Sequence, residues 1–242
     1  MRFLSSMRGR FLLAVLAAAA LAVLPAANGA AQRGRAAPAQ RDWTQTVVRT
    51  PEGGFRMGDP DAPVKVIEYI SFACPHCADF HREGGAALMQ NYVRPGRVSI
   101  EYRNILINAP DIPATVLARC AGGRAYFNMG HELMRTQGQW LNAGGNLSEA
   151  QRGQLRSQPP TIMSQRLAPM IGLDRIAARH GLTPAAQRAC LSNQANFSQL
   201  ETISEQAHHQ YGITGTPTFV INGRVITDTN VWSGIEPLLR GG

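Results

Sequence analysis

Two cysteines separated by two residues, Cys74-Pro75-His76-Cys77, are the side chains of this sequence best suited to chemistry. A Cys-x-x-Cys pair can bind a metal, close a structural disulfide, or cycle between dithiol and disulfide. Zinc asks for four ligands, and the other two cysteines, Cys120 and Cys190, are far apart rather than a second clustered pair. A purely structural bridge across two residues closes a tiny loop and constrains the unfolded chain little. Redox cycling fits the local sequence best. With Cys74 capping a helix and Pro75 at its first position, unpaired N–H groups and the positive end of the helix dipole face the Cys74 sulfur. Both favour thiolate over thiol, and His76 adds a donor or a positive charge at the same end. A stabilised thiolate leaves readily and stabilises the reduced protein. The disulfide is then a stronger oxidant, by roughly 30 mV for each ~1.4 kcal/mol. Cys77, one helical step further in, is the less exposed, resolving thiol.

The elements around this pair follow from pattern. Residues 64–72 read as a buried strand running straight into the cysteines, and 78–92 have helical spacing. Glu68 shares a strand face with Ile70 and Phe72. If that face is buried, its carboxylate lies beneath the cysteines and can take or give a proton as Cys77 reacts; the alternative is an ordinary glutamate at the edge of the core. Residues 98–106 form a second strand, alternating Val98, Ile100 and Tyr102 with Ser99, Glu101 and Arg103. Residues 112–210 show no strand pattern and read as several helices, broken at Gly144-Gly145, Pro159-Pro160 and Gly181. A strand, an Asn222-Gly223 turn and a second strand occupy 215–225, and 230–239 close as a helix. Thr216-Pro217 opens the first of these strands, where a proline removes a ladder donor. A cis bond there, beside the sulfurs, leaves the Thr216 backbone free to pair with an extended substrate. The fold class is α/β, with helices on both faces of one sheet.

Bulk properties bound the rest. The chain has 242 residues, 44% of them hydrophobic, and a net charge of +8, with Lys65 its only lysine. The charge is dispersed and no basic run is interleaved with aromatics, so nucleic acid is not an expected partner. Arg2, Arg8 and Arg10, the apolar run 11–24 and the small residues through Ala31 have the layout of a secretory signal peptide, residues 1–31. An uncleaved membrane anchor is the alternative. Residues 32–52 read as a polar, flexible leader. The expected location is the periplasm, where disulfides persist.

The segments DAPVKVIEYISFACPHCADFH and GITGTPTFVINGRVI resemble the DsbA-like branch of the thioredoxin superfamily, over roughly residues 53–239. The resemblance implies a thioredoxin fold with an inserted helical domain: residues 53–111 and 211–242 as the two thioredoxin parts, and 112–210 as the insertion. It makes Cys74 the nucleophile, Cys77 the resolving cysteine, Glu68 the buried acid and Pro217 the cis-proline. It implies an oxidase that introduces disulfides into reduced or unfolded exported proteins. A membrane partner of the DsbB/quinone type reoxidises it, the protein is a monomer, and neither cofactor nor metal is called for. Four cysteines allow three pairings. A leftover pair in an oxidising compartment suggests a Cys120–Cys190 disulfide, which some DsbA-like proteins carry in this domain; two buried thiols are the alternative. Thr216 departs from the best-known oxidases, which often carry Val there. A disulfide isomerase or reductase using the same centre therefore stays open, as does a thiol-independent holdase or binding module. The leader is too short for the dimerisation domain of dedicated isomerases. His81 reads as a solvated helix residue, and His131 and His180 as ordinary helix residues. Adjacent His208 and His209 point in different directions, so they make no metal pair. Phe127, Met129, Leu133 and Met134 read as core or groove lining.

Overall fold

In a computed structural model, residues 41–241 are described; the expected signal peptide (1–31) and the leader up to residue 40 lie outside them. The sheet grows from β3 (Val64–Ile70) and β4 (Val98–Asn104), which pair in parallel across seven residues, Val64 opposite Val98 and Ile70 opposite Asn104. A parallel pair needs a crossover. Here it is α1 (Pro75–Ala87), which continues into a π turn over Leu88–Val93. β5 (Thr218–Ile221) adds antiparallel to β3, and β6 (Arg224–Ile226) adds to β5. The β5–β6 turn takes positive φ at both Asn222 (48°) and Gly223 (83°), as a two-residue hairpin demands. On the other side β2 (Phe55–Met57) pairs with β4 and β1 (Val47–Arg49) with β2, giving the order β1-β2-β4-β3-β5-β6.

Two details differ from the sequence reading. The leader expected to reach residue 52 ends earlier: Trp43–Gln45 form a 3₁₀ turn and β1 follows. A three-residue strand is too short to show a period, and its order comes from pairing with β2. The alternation in β4, moreover, is not an alternation between core and water, because all seven residues are buried. Val98, Ile100 and Tyr102 join the main core. Glu101 and Arg103 pair with each other at 2.7 Å, Glu101 accepts the Thr50 hydroxyl at 2.8 Å, and Arg103 donates to the Tyr69 hydroxyl at 3.3 Å. Buried charges persist where they are paired in this way.

Between β4 and β5 run eight helices: α2 (Asp111–Ala121), α3 (Gly123–Arg135), α4 (Gln137–Gly145), α5 (Glu149–Arg156), α6 (Pro160–Met170), α7 (Leu173–Arg179), α8 (Pro184–Ser192) and α9 (Gln194–Tyr211). Three of the seven breaks between them fall where the sequence marks them, at Gly144-Gly145, Pro159-Pro160 and Gly181; the sequence reading does not mark those at Gly122, Thr136, Gly172 and Asn193. Near its C-terminus, α9 covers one face of the sheet, where Ala207, with Ile213 beyond it, packs on Tyr69 and Val220. On the opposite face α1 and the closing α10 (Trp232–Leu239) meet. Gly84 permits this contact, since a Cβ there would fall 2.0 Å from the Trp232 ring.

Cys120 on α2 and Cys190 on α8 are joined as a disulfide, with Cα atoms 6.3 Å apart across a sequence separation of 70. Closing a loop of that length stabilises the fold by restricting the unfolded chain. Replacing both cysteines by serine should lower unfolding stability by about 2–5 kcal/mol. Denaturant titration of the variant against the oxidised parent measures this, and coincident midpoints would contradict it.

Candidate active site

β3 delivers the chain into Ser71-Phe72-Ala73, all buried, and then into the cysteines. Cys74 is the helix N-cap, in extended backbone at φ −80°, ψ 121°, and Pro75 opens α1 with a φ already suited to helix. The Cys74 carbonyl accepts the first helical bond, from the Ala78 N–H at 3.2 Å. His76 is exposed, whereas Cys74 is 5% exposed and Cys77 fully buried. Both are thiols here.

The two sulfurs differ sharply in acidity. The Cys74 thiol is pulled down to about 5, first by the Cys77 thiol donating to it. Partial burial opposes this, while the Thr216 side chain and the N–H groups of Cys77 and His76 reinforce it. Those N–H groups are the free donors of the first helical turn. In its protonated form Cys74 donates to the Thr216 carbonyl at 3.2 Å. Cys77 moves the other way: burial pushes its thiol well up, and the Cys74 side chain and the Glu68 carboxylate add to the effect.

The structure therefore brings Cys74, Cys77, Pro75, Thr216 and Pro217 together, and the Thr216–Pro217 bond is cis. Glu68 is fully buried on the α1 face of the sheet, as its phase with Ile70 requires. His81 does not lie where the sequence reading put it. Its side chain is only 5% exposed, and Nε2 lies 2.9 and 3.0 Å from the two Glu68 oxygens. The physical reason is spacing: His81 lies four residues after Cys77, on the same helix face, and that face lies on the sheet. His131 is no ordinary helix residue either. Its ring centroid is 5.6 Å from that of His81, its Nε2 is buried without a partner, and desolvation, with His81 adding, holds it down to about 3.

Two further residues, both from the helical region, grip the segment before the cysteines. Asp111, at the start of α2, is fully buried and accepts the Ser71 hydroxyl at 2.6 Å, the Ile107 N–H at 3.2 Å and the Thr115 hydroxyl at 3.2 Å. Ser71 Oγ in turn accepts the Ala73 N–H at 3.1 Å. Burial pushes the Asp111 carboxyl up to about 6 against these donors. Gln137, at the start of α4, donates to the carbonyls of Phe72 and Cys74, both at 2.9 Å. The sequence carries a weak sign of Asp111, an acid in a first helical turn, and none of Gln137. Among the described residues no cluster of three or more His, Cys, Asp or Glu side chains could hold a metal ion.

A β-α-β crossover carrying a Cys-x-x-Cys at the helix N-terminus, opposite a cis-proline, defines a thioredoxin-type dithiol protein. The family profile described as thioredoxin matches residues 50–240, and the chain belongs to that family, with a DsbA-like fold. A proposed protein-disulfide oxidoreductase of Rickettsia bellii is 26% identical over 172 residues, which span 71% of this chain and 58% of that protein. The chain thus matches little more than half the length of such relatives. The crystal structure of a protein-disulfide isomerase from Novosphingobium aromaticivorans superposes with a TM-score of 0.72 at 29% identity, covering 76% of this chain and 94% of that one. That of Wolbachia pipientis alpha-DsbA1 superposes at 0.61 and 22% identity, covering 76% and 88%.

Ultraviolet titration of the reduced protein should show one thiolate with a midpoint of about 5. A midpoint in the ordinary thiol range, about 8.5, would contradict the geometry. Gln137→Leu should raise that midpoint and cost about 1–3 kcal/mol of stability, because the Phe72 carbonyl is left buried without a donor; the same titration and a denaturation curve check both.

Proposed function

We propose that the protein is a periplasmic thiol:disulfide oxidoreductase working as an oxidase, passing a Cys74–Cys77 disulfide to reduced or unfolded exported proteins. The observation that carries this is the opposite displacement of the two thiols, Cys74 down and Cys77 up. In the oxidised protein a substrate thiolate attacks the Cys74 sulfur. The Cys74–Cys77 bond breaks, its electron pair passes to the Cys77 sulfur, and that sulfur takes a proton. A second substrate thiolate then attacks the substrate sulfur of the mixed disulfide and displaces Cys74, which leaves easily as a stabilised thiolate. The substrate loses two electrons and the protein gains them; a membrane partner of the DsbB/quinone type collects them. Substrate backbone fits the open groove of about 470 Å³ beside Thr216 and Pro217, bordered by Thr214, Thr227 and Thr229. Export is supported by the signal layout of residues 1–31 and by the Cys120–Cys190 disulfide, a bond of oxidising compartments.

A second reading, an isomerase on the same centre, has its own support in Thr216 and in the resemblance to the Novosphingobium isomerase structure. Equilibration with glutathione separates the two. An oxidase should give a potential clearly above about −180 mV, the value of protein disulfide isomerase. A value near about −270 mV, that of thioredoxin, would overturn the oxidase reading. Cys74→Ala should abolish transfer; full retained activity would favour a holdase instead.

The lowered Cys74 thiol also sets a pH dependence for the reduced protein. Its folded value of about 5 lies below the unfolded value of about 8.5, so the thiolate's contribution to stability is complete above pH ~8.5 and is lost as pH falls toward ~5. The oxidised form lacks it. The stability of the reduced over the oxidised form should therefore rise between about pH 5 and 8.5. Paired denaturation curves across that range measure the difference, and a flat one would contradict the assignment.

A further inference from the structure

We propose that His81 is the proton carrier of Cys77, exchanging protons between the buried Glu68 carboxylate and a solvent groove between α1 and α3; this rests on the dithiol reading above. Cys77 is fully buried and its thiol is disfavoured as an anion. Each time the Cys74–Cys77 bond breaks, the Cys77 sulfur needs a proton. Each time Cys77 attacks a mixed disulfide at Cys74, it must give that proton up. Glu68 is near enough to bear on Cys77 electrostatically, but it is itself 0% exposed and has no direct exchange with water. A carboxylate in that position can relay a proton only through a further group.

His81 is the group that reaches both. Its Nε2 touches both Glu68 oxygens, and its ring lines a groove of about 410 Å³ shared with Gly85, Met89, His131 and Met134. An imidazole can accept a proton at one nitrogen and release one from the other. The other nitrogen, Nδ1, lies 3.5 Å from the Tyr102 hydroxyl. On the helix side it faces Gly85, where an added Cβ would stand 3.4 Å from Nδ1. A glycine inside a helix is destabilising relative to alanine; here it keeps the approach to Nδ1 free of side chain.

The charged and titratable groups around His81 fit the role. From β3 comes Glu68, and from β4 Tyr102, whose phenol burial holds protonated. α1 contributes Cys77 and also Arg82, which is paired with Asp79 at 2.7 Å. α3 contributes the neutral His131 and, at the exposed rim of the groove, Arg135. Glu68 is the carboxylate that His81 touches, and no cation in this set competes for it.

The test uses the whole chain and two variants. His81→Gln keeps an N–H for Glu68 but cannot carry a proton through. His81→Ala leaves a space, continuous with the groove, that free imidazole can enter. Rapid mixing with glutathione reads the rate at which Cys77 resolves the Cys74–glutathione mixed disulfide, between about pH 6 and 8. His81→Gln should slow this step about tenfold or more while leaving the Cys74 thiolate midpoint in place. Imidazole should restore the rate in His81→Ala and leave that of the parent unchanged. An unchanged rate in His81→Gln, or a slow His81→Ala that imidazole does not restore, overturns the proposal alone. A parent whose Cys74–Cys77 pair does not exchange with glutathione overturns the dithiol reading and this proposal with it.

Discussion

A sulfur buried as Cys77 is cannot hold a negative charge at low cost, while a sulfur at the mouth of a helix can. The chain places one cysteine in each environment, three residues apart, and the remaining architecture serves that contrast. β3 must be central for the cysteines to emerge from a buried strand. α1 must begin at Cys74 for its first N–H groups to point at that sulfur. The α1 face must lie on the sheet for Cys77 to be covered and for Glu68 to sit near it. Burial alone would leave both thiols inert; exposure alone would leave both ordinary.

The helical region is more than a lid on this arrangement. Asp111 and Gln137 reach back to Ser71, Phe72 and Cys74 and satisfy the polar groups of a segment that has left the sheet and not yet joined the helix. Backbone in such a junction has no ladder of its own, and a buried carbonyl without a donor is expensive. Asp111 accepts a raised carboxyl pKa as the cost of sitting there. Strain of this kind is expected near a site whose geometry is held by several distant parts of the chain.

Much of this was legible in the sequence because local rules set it. The N-cap role of Cys74 follows from Pro75 and the β5–β6 turn from Asn222-Gly223, while a period of two puts Glu68 on the face of Ile70 and Phe72 and leaves open whether that face is buried. His81 was not legible as a buried partner, although its spacing from Cys77 puts both on one face. A helix face becomes buried only when something covers it, and the cover here is a sheet and α3, whose placement no local pattern states. Gln137 is further out of reach: a glutamine at the start of a helix looks solvated unless the carbonyls that it meets, 63 and 65 residues earlier, are known. β1 escaped for another reason, since three residues are too few to display alternation.

The contact between Cys74 and Thr216 spans 142 residues of sequence. That separation gives the site a place in time. Synthesis runs from the N-terminus, so Cys74 and Cys77 leave the ribosome long before α4 exists and longer still before the segment carrying Pro217 does. Until those parts dock, the helix that would acidify Cys74 lacks both its anchor at Gln137 and its neighbour at Thr216. In an unfinished chain Cys74 lacks the Thr216 contact and the Gln137 bond to its carbonyl. The site is thus completed last, when the C-terminal strands close the sheet and bring Thr216 against Cys74.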